Sequence, residues 1–174
     1  QQLEFEFGHL DFLLSQNMNI RAGTMLMPMG NLKEFHEPNK FFTPERPEYH
    51  SKLIPTTWQQ AGAGLFGATG DISYRLYLTN AVLSMDDTRS FNDDSFIRSG
   101  RSQINNVEVG NLAVSGRIEK KQPGGQLGFS FYTGASTAGF ISQDGQTTIV
   151  ELDYKTRRGP LDLDFGIFKG WVED

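Results

Sequence analysis

Residues 54–80 read IPTTWQQAGAGLFGATGDISYRLYLTN, and this stretch decides the fold. From Ile72 to Thr79, apolar and polar side chains alternate, so a strand formed here has one apolar and one polar face. Glycine and aspartate in residues 68–71 favour a sharp reversal of the chain. The stretch therefore predicts a β-hairpin whose loop is residues 68–71.

A four-residue loop also fixes which residues face one another. It places the side chains of Arg75 and Tyr77 over Gly64 and Gly62, where a glycine leaves room for a large neighbour. On the opposite face, the predicted pairs are Ile72 with Gly67, Tyr74 with Leu65, Leu76 with Ala63 and Leu78 with Ala61.

Three further hairpins show the same alternation. The first reverses at residues 15–17, which places Asp11 opposite Arg21 as an ion pair and Phe12 opposite Ile20. The others reverse at residues 121–124 and 156–159. Their predicted pairs are Ile118 with Leu127, Gly116 with Phe129, Val114 with Phe131, Arg117 with Gly128, Val150 with Phe165, Leu152 with Leu163 and Tyr154 with Leu161.

The composition favours an all-β chain. Its 174 residues include 19 glycines and 14 phenylalanines, and no stretch has a helical period. The net charge of −5 argues against nucleic acid as a partner, and the absence of cysteine excludes disulfides and thiolate metal sites. No apolar run is long enough for a membrane-spanning helix.

The four turns are short, whereas the segments between hairpins are long and polar. The long loops are residues 28–55, 81–109 and 134–146. Short turns at one end and long loops at the other are typical of transmembrane β-barrels, whose strands alternate between lipid-facing and lumen-facing residues. Residues 1–174 are therefore predicted to be a single segment of an antiparallel transmembrane β-barrel, eight strands in meander hairpins. A soluble β-sandwich or a lipocalin-like barrel is the alternative.

This topology assigns a lipid-facing set and places the long loops on one side of the membrane and the short turns on the other. The predicted lipid-facing side chains are Tyr74, Leu76, Leu78, Leu112, Val114, Phe129, Phe131, Val150, Leu152, Leu163 and Phe165.

Four ordered motifs resemble the phosphate-selective porin family, mainly within residues 18–80. They are Met27-Pro28-Met29-Gly30, Glu45-Arg46-Pro47, IPTTW at residues 54–58 and GAGLFG at residues 62–67. The resemblance implies a Gram-negative outer-membrane porin of about sixteen strands, often assembled as a homotrimer. Eight strands would then be about half of a barrel, and Asp174 stands where outer-membrane proteins usually end in Phe or Trp. A partial chain is therefore expected; a closed eight-stranded barrel is the alternative.

The polar face is predicted to line the pore. Its candidate lining residues are Asp11, Arg21, Arg75, Tyr77, Arg117, Glu151, Asp153, Asp162 and Asp164. The register of the last hairpin places Asp153 opposite Asp162 and Glu151 opposite Asp164. Either a wide, wet lumen screens these like charges, or they form an acidic arc that faces a basic arc of three arginines. Phosphate selectivity in the resembled family depends on dense runs of Arg and Lys, which this face lacks, so that selectivity is not expected here.

The predicted function is passive diffusion of small polar or ionic solutes through a water-filled channel, with outer-membrane lipid as the surrounding partner. The alternative is a non-conducting barrel that serves as a structural or scaffold component of an envelope complex. No enzymatic activity, cofactor or metal is expected. The GAGLFG stretch matches a dinucleotide-binding pattern by its letters, but it leads into a strand where that motif needs a helix.

One loop carries residues that could bind a metal. Glu34, His36 and Glu37 lie close together in sequence, and Glu48 and His50 follow. No helical spacing brings two of these side chains onto one face, so they are interpreted as polar loop residues.

Overall fold

The structure is a computed structural model, which describes residues 8–30, 58–83, 91, 96–100, 111–136 and 145–173. The described residues form one antiparallel sheet in which every strand pairs with its neighbours in sequence. Its strands are β1 (Gly8–Phe12), β2 (Asn19–Leu26), β3 (Gln59–Thr69), β4 (Ile72–Asn80), β5 (Leu112–Gln122), β6 (Gly125–Ala135), β7 (Gln146–Arg158) and β8 (Leu161–Glu173). A short 3-10 helix covers Ile97–Gly100.

The predicted meander of eight antiparallel strands is confirmed. In the described residues β1 and β8 are the two edges of the sheet and do not pair with each other, so the sheet is open. These residues therefore do not form the closed eight-stranded barrel that was the alternative.

The register of the first hairpin is as predicted. Asp11 lies opposite Arg21 and Phe12 opposite Ile20. Arg21 donates from Nε and Nη2 to the two carboxylate oxygens of Asp11, at 2.7 and 2.8 Å, which confirms the ion pair. The amide of Ser15 closes the turn on the carbonyl of Met18.

The other three registers were predicted wrongly, each by an even number of residues. The turns contain two residues, because a glycine with positive φ (Gly70 at 58°, Gly124 at 81°, Gly159 at 60°) reverses the chain more tightly than a four-residue loop. An even shift leaves every side chain on its predicted face but changes its partner. The observed pairs include Leu65 with Leu76, Ala63 with Leu78, Gly64 with Tyr77, Ile118 with Phe129, Gly116 with Phe131, Arg117 with Ser130, Leu152 with Ile167, Val150 with Lys169 and Tyr154 with Phe165.

The four turns are offset from one another by a constant step. The hairpin of β3 and β4 ends at Thr69 and Ile72, in register with Lys120 of β5 and Leu127 of β6. The β5–β6 hairpin continues two residues further, to Gln122 and Gly125, and the β7–β8 hairpin continues two residues beyond those, to Arg158 and Leu161.

The first turn follows the same step. Its Met18 directly precedes Asn19, which pairs with Phe66, so this turn ends level with Gly67, two residues before Thr69. Each hairpin therefore extends two residues further than the one before it, which is one residue per strand.

The sheet is apolar on its exposed face and polar on its buried face. On the exposed face, named here the apolar face, the large side chains are 36–73% exposed; they include Leu10, Phe12, Leu65, Ile72, Leu76, Leu78, Leu112, Val114, Ile118, Leu127, Phe129, Leu152, Leu163, Phe165, Ile167 and Trp171. Tyr74, Phe131 and Val150, also predicted to face lipid, lie half-buried on the same face.

On the other face, named here the polar face, the buried residues include Thr79, Ser115, Arg117, Ser130, Thr147, Glu151 and Asp153. A buried apolar cluster lies on the same side of the sheet; five of its residues come from the strands, and the other six pack over them. It comprises Met25, Met27, Met29, Trp58, Tyr77, Ala81, Val82, Ile97, Ala113, Tyr132 and Ile149. A water-soluble sheet usually buries the face that carries its large apolar side chains, whereas this sheet leaves that face exposed.

Candidate functional site

All nine residues predicted to line a pore lie on the polar face, since alternation along each strand and the pairing between strands place them there together. They differ in exposure. Tyr77, Arg117, Glu151 and Asp153 are buried, whereas Asp11 and Asp162 are exposed and Arg21, Arg75 and Asp164 are intermediate.

A chain of alternating charges crosses four strands of this face. Arg75 of β4 donates from Nη1 to Oε2 of Glu119 on β5 at 3.0 Å, and Arg117 of β5 donates from Nε to Oε1 of Glu119 at 3.0 Å. Arg117 also donates from Nη1 and Nη2 to both oxygens of Asp153 on β7, at 2.7 and 3.0 Å. We name these four residues the ion network.

Two further hydrogen bonds, from a serine and a glutamine, reach the Glu119 carboxylate. Ser73 Oγ donates to its Oε2 at 3.1 Å and Gln126 Nε2 to its Oε1 at 2.8 Å. Hydrogen bonds of this kind to a charged group are the stronger ones in proteins. They fix Glu119 between Arg75 and Arg117, which lie directly opposite each other on β4 and β5. The carboxylate offsets the repulsion between the two like charges.

The ion pair between Arg117 and Asp153 spans the intervening strand β6 at a glycine. A Cβ atom added to Gly128 would collide with Nη2 of Arg117 and with both carboxylate oxygens of Asp153. The missing side chain at Gly128 is therefore what lets side chains of β5 and β7 meet across β6.

The directly opposed carboxylates predicted in the last hairpin are not present. The observed register places Asp162 opposite Arg157 and Asp164 opposite Lys155, because the hairpin reverses at Gly159 and Pro160. Arg157 Nε lies 3.7 Å from Asp162 Oδ1. Opposite charges therefore face each other, and the predicted separation into an acidic arc and a basic arc is wrong, since Asp153 binds Arg117 directly.

A short stretch of chain lies across the polar face above the ion network. It is Met27–Gly30, named here the covering segment. The hydroxyls of Thr79 and Ser115 contact the Met27 sulfur at 3.9 and 3.6 Å, and the Gly30 amide donates to Ser130 Oγ at 3.2 Å. Thr79, Ser115 and Ser130 lie on β4, β5 and β6, so the segment crosses three neighbouring strands.

Two other parts of the chain cover the same region. The Trp58 carbonyl accepts from the Met27 amide at 2.9 Å, and the Trp58 ring packs on Tyr132 with 4.7 Å between ring centroids. The Tyr132 hydroxyl accepts from the Val82 amide at 2.9 Å. Trp58 lies three residues after the predicted loop 28–55, and Val82 is the second residue of the predicted loop 81–109. The chain at both positions therefore folds inward over β6.

Two central residues of the site were missed by the sequence reasoning. Glu119 lies two residues after Arg117, so strand alternation alone places it on the same face. Ser130 lies between Phe129 and Phe131, which gives its face but not its role, because its partners come from Gly30 and Arg117 elsewhere in the chain.

Five loop residues could bind a metal by their chemistry alone. Glu34, His36, Glu37, Glu48 and His50 lie outside the described residues. Within the part of the chain that the structure describes, no three His, Asp or Glu side chains form a group that could hold a metal ion.

Comparison with known proteins finds similarity to a longer protein. A protein of Aquifex aeolicus (strain VF5), named only as an uncharacterized protein, is 34% identical over 147 residues, which are 83% of this chain and 32% of that protein. The chain thus spans about a third of the relative's length. No protein-family model and no solved structure matches the chain significantly. Among the described residues, no helix is both long and apolar enough to span a membrane.

Proposed function

We propose that this chain is part of an outer-membrane β-barrel porin of a Gram-negative bacterium, a channel for passive diffusion of small polar or ionic solutes. The observation that carries the proposal is the distribution of polarity: large apolar side chains are exposed on one face of the long strands, while Arg117, Glu151 and Asp153 are buried on the other. Soluble monomers rarely expose a continuous apolar surface of this extent. Lipid chains are the environment that suits such a face.

Strand length supports a membrane-spanning sheet. The strands β3 to β8 have 9 to 13 residues, longer than the five or six that are usual in globular proteins. A tilted transmembrane strand needs about 9–11 residues.

The offset of the turns supports a tilted sheet. If the turns lie at one membrane surface, a step of one residue per strand means a shift of about 3.3 Å for every 4.8 Å of sheet width. This corresponds to a tilt of about 35°, within the range that barrel closure requires.

Closure of the barrel is part of the proposal. Unpaired edge strands are too costly in hydrocarbon, so β1 and β8 must pair with further strands. The Aquifex protein is about three times as long as the region it shares with this chain, which is ample length for such strands. A barrel of about sixteen strands, with this chain as roughly half, is the closure that we propose, and a homotrimer is the assembly implied by the porin resemblance.

Conductance across a planar lipid bilayer tests the proposal. Purified full-length protein is expected to produce stepwise single-channel currents in salt solution, and to float with liposomes in a density gradient. Failure to float would overturn the membrane assignment and favour a soluble β-sandwich.

A non-conducting scaffold is the second candidate, and the covering segment is the observation that favours it. Met27, Met29 and Trp58 are fully buried over the centre of the polar face, where a pore needs open space. Protein that floats with liposomes yet never conducts would establish this function instead.

A further inference from the structure

Arg117 lies too deep in its network to contact a passing solute. Its side chain is 2% exposed, and Nε, Nη1 and Nη2 all donate within the protein. Asp153 is equally buried. The ion network contains two arginines and two carboxylates, so its net charge is zero. Its electric field is therefore too weak to select ions by the sign of their charge.

Ser130 connects this network to the covering segment. Its hydroxyl oxygen accepts from Arg117 Nη1 at 2.7 Å and from the Gly30 amide at 3.2 Å, which uses both of its lone pairs. Ser130 is 0% exposed, so water cannot easily replace either bond. The position of Gly30 over the sheet is therefore tied, through one hydroxyl, to the position of the Arg117 side chain.

We propose that Ser130, held by Arg117 and Asp153, is a positioning residue that anchors the covering segment and thereby sets the width of the pore, not its charge preference. The inference depends on the proposed function, since only a conducting barrel has a width to set. It assigns Arg117 and Asp153 a mechanical role in place of the solute-facing role that an acidic and a basic arc would give them.

The Ser130→Ala variant of the full-length protein tests this, because it releases Gly30 while leaving every charge in place. Arg117 keeps its two bonds to Asp153, so the fold is retained. Ser73→Ala is the matched control, since Ser73 donates to Glu119 in the same network, whereas the covering segment is hydrogen-bonded to Thr79, Ser115 and Ser130 among the described residues. Ser130→Ala is expected to increase single-channel conductance over both wild type and the control, with an unchanged reversal potential in a salt gradient.

Hydrogen–deuterium exchange supplies a readout that does not depend on conduction. The peptide containing Gly30 is expected to exchange faster in Ser130→Ala than in wild type or Ser73→Ala, because its amide loses a buried acceptor. If the wild type conducts but the two variants match in conductance and exchange, this inference is overturned and the pore stands. If Ser130→Ala shifts the reversal potential at constant conductance, the anchor does not set the width. A wild type that does not conduct overturns the proposed function, and the width-setting role with it.

Discussion

Arg21 and Arg117 each bind a carboxylate through two donors, yet they lie in different surroundings. The Arg21–Asp11 pair is on the outermost hairpin, with side chains 23% and 30% exposed. In the Arg117–Asp153 pair, both side chains are only 2% exposed. Exposed pairs contribute little because water screens them, whereas removing one partner of a buried pair leaves a charge without compensation. The same chemistry should therefore have very different effects on stability.

Replacing Asp153 with Asn is expected to lower the free energy of unfolding by about 3–5 kcal/mol. The amide keeps the shape of the carboxylate but leaves the Arg117 guanidinium with Glu119 alone as a charged partner. Asp11→Asn is the matched control and should cost about 0–1 kcal/mol. Urea unfolding in detergent micelles measures both, and similar losses would show that Arg117 is not buried as described.

Part of this site could be predicted from the sequence, and part could not. Alternation placed Arg75, Arg117 and Asp153 on one face correctly, because a strand has a period of two. Which carboxylate binds which arginine depends on the register across three strands and on Gly128, whose missing side chain lets the pair form. Neither is visible in the local pattern.

For the hairpins too, the sequence predicted one feature, the face of each side chain, and not another, the register. The face of each residue was predicted correctly, but three registers were shifted by two or four residues, because loop composition suggests a reversal without fixing its length. The first hairpin was predicted correctly, because the predicted turn at residues 15–17 agrees with its observed register. The glycine of each two-residue turn was present in the sequence, and its positive φ was the missing information.

The turns also define a band on the apolar face. Asn80, Thr133 and Lys169 occupy positions on this face, each eight residues from the first residue after its turn. Lys169 lies over the Trp171 ring, with 4.8 Å from Nζ to the centroid. In the proposed barrel, polar groups and an aromatic ring of this kind would mark the membrane interface, and the apolar residues closer to the turns would form the lipid-facing band.

Arginine substitution tests this band. Leu76 lies on the apolar face four residues from Ile72, near the middle of the band, and Leu76→Arg is expected to cost about 2–4 kcal/mol of folding free energy in lipid. Ser73 lies three residues away on the polar face, beside Glu119, and Ser73→Arg should lower the folding free energy far less. Folding into vesicles, titrated with urea, measures the difference. Equal losses would contradict the assignment of the two faces.

At the scale of the whole molecule, the two faces of the sheet differ in how they are covered. The apolar face is exposed, and no described segment of the chain covers its large side chains. The polar face is covered by Met27–Gly30, at the start of the predicted loop 28–55, and by Trp58, which follows that loop. This second feature was not predicted, because the motif Met27-Pro28-Met29-Gly30 reads locally as the start of a loop.

The tilt of the strands distinguishes a membrane-spanning barrel from a sheet that lies flat on the membrane surface. The constant step of two residues per hairpin predicts strands inclined by about 35° to the membrane normal when the turns lie in one plane. Polarised infrared spectroscopy of the full-length protein in oriented bilayers measures this angle from the amide I dichroism. A sheet adsorbed flat on the surface through its apolar face would give strands nearly perpendicular to the normal. That result would overturn the barrel and leave the apolar face as a peripheral membrane contact.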